Sequence, residues 1–288
     1  MINPLKIISF AFLLMVITVT VRAQKLSNIQ ENGFRAPANV KIDGKINEWG
    51  DALQAYNKAA SIYYTMANDD KNLYFIMKST DQVINNKFLA GGIDITINTT
   101  GKKKEKDAYV VEYPLVDMAN IRRQVGAMRT ANANKARRPN DEAMTGMDSI
   151  AIATRRKLLN GIKEIKLTGF TKDVADSVIS VYNQFGIKTG IDYDNQGNLT
   201  CEVAIPLKYL HLSGSDFAYN IKLNGLNMMA FRAPEMNSGN NIDRARTQAV
   251  APPNYNANPS PDASRQMNDM QIIISPTDFW GKYTLVKK

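Results

Sequence analysis

The chain has 288 residues, 44% of them hydrophobic and 22% charged, and a formal net charge of +9. That length suits one large domain or two small ones, and an all-β domain can fill it alone. The basic runs Lys102-Lys103-Lys104-Glu105-Lys106 and Arg155-Arg156-Lys157 are short and scattered, which describes solvated loops and not a nucleic-acid footprint. The single cysteine, Cys201, excludes an intramolecular disulfide, and one cysteine with one histidine, His211, makes no closed zinc ligand set.

The chain opens on Lys6, an apolar run from Ile7 to Val21, and Val21-Arg22-Ala23 before Gln24. This is the pattern of a secretion signal with a small-x-small cleavage site. The run is short for a membrane span, and the alternative is an N-terminal anchor that stays uncleaved. Cleavage after Ala23 removes 23 of the 288 residues and leaves a domain over 24–288. The loss of Lys6 and Arg22 lowers the charge from +9 to +7. The mature chain is then expected in the periplasm, the cell envelope or the medium, with no membrane span.

Strand signals dominate the mature chain. Ile42-Asp43-Gly44 predicts a strand that turns and sets Trp49 on a sheet. Ser61–Ala67 and Leu73–Thr80 flank the turn Asn68-Asp69-Asp70-Lys71-Asn72, which predicts a hairpin. Ile93, Ile95 and Ile97 alternate with Asp94, Thr96 and Asn98, a half-buried strand. Ala108–Tyr113 returns after a polar loop. Ala143–Gly161 is the one stretch with a case for a helix. Strands come next at Val178–Asn183 and Phe185–Tyr193, then the turn Asp194-Asn195-Gln196-Gly197-Asn198. Leu199, Cys201, Val203 and Ile205 alternate up to Pro206, where a single helical turn to Leu212 is expected. Phe217–Leu223 and a stretch holding Trp280, Tyr283 and Leu285 complete the strands. Many short strands separated by turns predict an all-β fold, a single antiparallel β-sandwich or barrel. Two irregular insertions interrupt it, at about 126–160 and at 233–266, the second rich in Asn, Pro and Ala.

Chemistry-bearing residues are few. Cys201 lies on the apolar side of its strand and reads as a buried structural thiol. His211 has no Gly-x-Ser-x-Gly element to serve and reads as a half-exposed structural residue. Asp94, Glu112 and Glu202 are carboxylates on strands; the alternatives are a glycosidase pair and outward residues of a solvated face. Asp43, Asn47, Glu48, Asp69 and Asp70 offer hard oxygen ligands that would suit a structural calcium, or simply hold turns. Phe88, Tyr113, Phe231 and Tyr255 are aromatic residues positioned to stack on a sugar ring, or to plug a core or a loop.

Six segments follow one another in order: Ile42-Asp43-Gly44 through Trp49, Asn72-Leu73-Tyr74-Phe75, Gly92 through Asn98, Glu202 through Leu207 with its Ile-Pro, Asn227 with Phe231-Arg232, and Thr277 through Leu285. This ordered set resembles the family 9 carbohydrate-binding modules and their DOMON-like relatives. The resemblance spans most of the mature chain and implies a single β-sandwich. It also implies a sugar site with an aromatic clamp at Phe88, where Trp is usual, a hydroxyl-binding carboxylate at Asp94, and the strand-end Arg232. Tyr255 is the aromatic residue in the loop where a second clamp is expected, and Trp49 and Trp280 fall to the core. The function implied is a secreted, non-catalytic module that binds a poly- or oligosaccharide. The alternatives are an envelope interaction protein that kept the sandwich and lost the sugar, a haem protein using Met and His211, and a glycosidase or its accessory domain.

Overall fold

The computed structural model describes residues 26–50, 53–115, 149–226 and 261–287. Alternating segments of the sequence become strands β2 (Ile62–Asn68), β3 (Asn72–Ser79), β4 (Ile93–Asn98), β5 (Tyr109–Tyr113), β7 (Val178–Ser180), β8 (Lys188–Tyr193), β9 (Leu199–Pro206), β10 (Asp216–Leu223) and β11 (Thr277–Thr284). Two further strands, β1 (Ala55–Asn57) and β6 (Glu164–Thr168), are not predicted from the sequence. They form two sheets, one ordered β1-β2-β3-β9-β8 and the other β11-β10-β4-β5-β6-β7. Every pairing between these strands is antiparallel. The expected β-sandwich is therefore the observed architecture.

The period-2 pattern explains which face each sheet buries. Tyr64, Met66, Phe75, Cys201 and Val203 from the five-stranded sheet meet Ile95, Val111, Tyr219 and Ile221 from the six-stranded one in a shared core. A polar bridge crosses this interior: the Tyr64 and Tyr219 hydroxyls are 2.9 Å apart. The Tyr219 ring lies over Gly281, where a Cβ would come within 2.3 Å of Tyr219 Cζ. Cys201 is buried, and burial raises its thiol well above the ordinary value.

Helices correct the sequence-based expectation in two places. Helix α1 (Gln82–Gly91) occupies a stretch with no helical prediction. Asp81 caps it, accepting from the amides of Val83 at 2.7 Å and Ile84 at 3.4 Å. Gly92 ends it at φ 73°. It carries the chain from β3 in one sheet to β4 in the other and buries Ile84 and Phe88 in the core. Helix α2 (Ser149–Leu159) falls inside the predicted helical stretch and buries Ile152 and Leu159. Helix α3 (Pro261–Ile274) begins inside what the sequence reads as an irregular insertion running to 266.

The opening segment is also corrected. Residues 41–46 are irregular and Asn47–Trp49 is a 3-10 turn, so the segment leading into Trp49 is not the expected strand. The segment docks on the outer face of the five-stranded sheet, where Trp49 packs in a second small core with Leu53, Ala67, Tyr74, Ile76 and Ala204. Gly44, at φ 86°, lies against β8: a Cβ on Gly190 would stand 2.3 Å from the Gly44 nitrogen.

Candidate functional site

Alternation in Ile93-Asp94-Ile95-Thr96 turns Asp94 away from the core, and the register then builds a row across five strands. Asp278 of β11 pairs with Lys222 of β10, Lys222 with Asp94 of β4, Asp94 with Glu112 of β5, and Glu112 with Lys166 of β6. The row lies on the outer face of the six-stranded sheet. Lys166 Nζ donates to Glu112 Oε2 at 2.6 Å, and Asn224 Nδ2 donates to Asp94 Oδ1 at 2.8 Å. Lys222 Nζ stands 4.0 Å from Asp94 Oδ2, and Asn220 Nδ2 donates to Asp278 Oδ2 at 2.7 Å.

The charges in this row shift one another. Burial raises the Asp94 carboxyl and the neighbouring Glu112 adds to the rise, against the pull of Asn224, Lys222 and Lys166. The hydrogen bond to Glu112 raises Lys166. Trp280 sits on the same face of β11, two residues from Asp278, half-buried and with no hydrogen-bond partner for its indole N–H among the described residues. The chain leaves this end of the sheet twice. Asn224 N donates to the Gly92 carbonyl at 3.0 Å, and a Cβ on Gly92 would meet the Pro114 carbonyl at 2.7 Å. Leu115 and Leu226, where the described segments end, therefore lie at the same end of the sheet as Asp94.

Of the residues expected to bind sugar, Asp94 lies in this row. Phe88 is only 2% exposed on α1, so no face of its ring lies at the surface. Tyr113 is likewise inside, 3% exposed. Arg232, Tyr255 and Phe231 lie outside the described residues. Lys222, Asn224 and Trp280 belong to this face although no sequence motif marks them as site residues. Strand alternation is signal enough for Lys222 and Trp280, which share the parity of outward residues on β10 and β11.

A second polar surface lies on the outer face of the five-stranded sheet. Glu202 is corrected from a solvated residue to a fully buried one. Its Oε2 accepts from the Gly44 amide at 2.9 Å and the Asp43 amide at 3.1 Å, and its Oε1 from Trp49 Nε1 at 2.8 Å. Thr200 Oγ1 donates to the Gly44 carbonyl at 2.6 Å. Beside this clasp is a cleft of about 670 Å³, floored by Lys78 and Thr200 and walled by Lys45, Asn47, Asp194 and Gln196. Arg156 of α2 closes one end, donating to Asp192 Oδ1 and to the Tyr193 carbonyl.

Other polar side chains are occupied with structure. His211 Nε2 and Asp173 Oδ2 are 2.6 Å apart at the surface. Asp69 holds its turn by accepting from the Lys71 and Asn72 amides at 2.7 Å each and from the Tyr74 hydroxyl. Asp43 accepts from the Lys45 amide, Glu48 from the Lys41 amide, and Asp70 pairs with Arg35.

No known family's signature matches the chain, and no curated protein matches it. Among solved structures it is similar to a carbohydrate binding module family 9 from Caldicellulosiruptor kristjanssonii in complex with glucose. The identity is 7%, the TM-score is 0.35, and the match covers 90% of this chain and 97% of that one. The β-sandwich is established by the strand pairings themselves.

Proposed function

We propose that the chain is a non-catalytic carbohydrate-binding β-sandwich, exported after loss of residues 1–23. It holds a poly- or oligosaccharide along the outer face of the six-stranded sheet beside Asp94. The observation that carries this reading is the five-strand row Asp278, Lys222, Asp94, Glu112 and Lys166. Neighbouring strands stand about 4.8 Å apart, close to the length of one pyranose ring. Successive strands can therefore present a carboxylate or an ammonium to successive sugar units. Trp280 supplies the apolar surface on which a ring stacks, in the role expected of Phe88, and Arg232 and Tyr255 are proposed to complete the site from the following segment.

Titration with xylo- and cello-oligosaccharides tests the proposal. Asp94→Ala and Trp280→Ala should each weaken binding at least about tenfold, the loss of a charge-assisted hydrogen bond or a stacking surface. Wild-type affinity in both variants would overturn it.

A second reading is favoured by the burial of Phe88. The chain would then be an envelope interaction protein that kept the sandwich and presents the charged row to another protein. Binding to envelope extracts that survives removal of their glycans would support it.

A further inference from the structure

In the cleft on the five-stranded sheet three of the four carboxylate oxygens are spent, and several donors are free. Asp192 Oδ1 accepts from Arg156 Nε at 3.1 Å and from the Tyr193 amide at 2.8 Å. Asp194 Oδ1 accepts from the Gln196 and Asn198 amides at 2.9 Å each. Its Oδ2 takes Asn198 Nδ2 at 2.7 Å and Lys78 Nζ at 3.1 Å. Burial works against ionisation there, but the Asn198 and Lys78 donors outweigh it and hold the carboxyl below its ordinary value. Gln196 Oε1 accepts from Asn198 Nδ2 at 3.1 Å, and Asn195 Oδ1 from Arg156 Nη2 at 3.3 Å.

The donors tell the opposite story. Among the described residues Lys45 Nζ, Gln196 Nε2 and Arg156 Nη1 have no partner, and Lys78 spends one of its three N–H groups on Asp194. Lys45, Lys78 and Arg156 outnumber Asp192 and Asp194, so the described lining carries one positive charge in excess. A neutral sugar hydroxyl donates as readily as it accepts, and here its proton would find few open acceptors. A group of oxygens that only accepts, and that is negative, fits the inventory.

We propose that this cleft binds the anionic group of an acidic oligosaccharide, a uronate carboxylate or a sulfate ester, through Lys45, Lys78 and Gln196. The proposal rests on the saccharide reading but uses a different surface, the outer face of the other sheet, so the two sites work independently.

The test is an amide-resolved NMR titration of the purified protein with oligogalacturonate, a sulfated oligosaccharide and a neutral cello-oligosaccharide. At least one anionic probe should shift the amides of Lys45–Gly50 and Asp194–Gln196, while the neutral probe leaves them in place. Which anionic probe binds more tightly names the group. Lys45→Gln should weaken that binding by about fivefold, the loss of one charge-assisted contact at an open site. Raising salt from about 0.05 M to about 0.5 M should weaken it further. Lys103→Gln, in the exposed loop between β4 and β5 of the other sheet, should bind as wild type. Anionic probes that leave the cleft amides unmoved, or bind Lys45→Gln as tightly as wild type, overturn the inference. If the neutral probe meanwhile shifts the amides around Asp94 and Asn224, the saccharide reading stands alone. If the anionic probe binds the cleft and the neutral one binds nowhere, the cleft stands and the Asp94 site falls.

Discussion

Glu202→Gln tests how the segment from Asp43 to Trp49 is held against the sheet. The Glu202 side chain is fully buried, facing two amides and an indole N–H. Burial dominates and pushes its carboxyl up from 4.5 to about 7, against the pull of Trp49, Gly44 and Asp43. The folded protein thus holds this proton more tightly than the unfolded chain does. The resulting stability is fully present below the unfolded value near 4.5 and is lost as pH rises through about 7. At about 1.4 kcal/mol per tenfold change in proton affinity, the loss is roughly 3 kcal/mol over that window. Glutamine has the same shape, keeps one acceptor oxygen and has nothing to titrate. Urea unfolding of both proteins at about pH 4.5 and about pH 8 isolates this one group from other ionisations. The stability of wild type minus that of Glu202→Gln should fall by roughly 3 kcal/mol between the two conditions. A gap independent of pH, or one that widens in favour of wild type as pH rises, would refute the reasoning. It would mean that the three donors prevail over burial and the carboxylate is the native form.

Three further outcomes are expected. Phe88→Ala should cost roughly 3–5 kcal/mol of stability in urea unfolding, the loss for a core aromatic, and leave the oligosaccharide affinity of the folded fraction unchanged; lost affinity at unchanged stability would place the ring against the ligand. Gly190→Ala would put a Cβ 2.3 Å from the Gly44 nitrogen, so the Asp43–Trp49 segment should lift. In a Trp280→Phe background, where Trp49 is the remaining tryptophan, its fluorescence should shift to the red, and an unshifted spectrum would show that the contact yields without undocking. Oligosaccharides and chromogenic glycosides should be recovered intact after incubation: Asp94 and Glu112 sit side by side on one sheet face, with Asp94 bonded to Asn224 and Glu112 to Lys166, and do not face each other across a bond. Sugar release that disappears in Glu112→Gln would overturn that.

The strands are legible because their signal is local. Ile93-Asp94-Ile95 and Leu199 through Ile205 carry their period in six to eight residues, and that period also fixes Asp94 as outward. Helix α1 is hidden because its reason is not local: Gln82–Gly91 is a weak helical pattern that forms while crossing from one sheet to the other, with Phe88 plugging the gap. In sequence, Phe88 therefore looks like a surface ring beside an acidic strand. Glu202 shows the same limit from the other side. Alternation correctly sends it away from the shared core, but the segment that covers it lies about 160 residues earlier in the chain, where Gly44 donates to it. The family resemblance assigns Trp280 to the core; strand parity and the register put it on the face of Asp278 instead.

The meeting of Gly92, Pro114 and Asn224 at one rim has an architectural consequence. Chain segments that begin there can differ in length without disturbing any strand pairing, because closing a longer loop adds only about 0.6 kcal/mol for each doubling. The rim works as a splice point: β4, β5 and β10 set a fixed frame whose pairings do not depend on the length of chain joined at Leu115 and Leu226. Segments joined at this rim can thus be exchanged while the frame, and the stability it carries, stays the same.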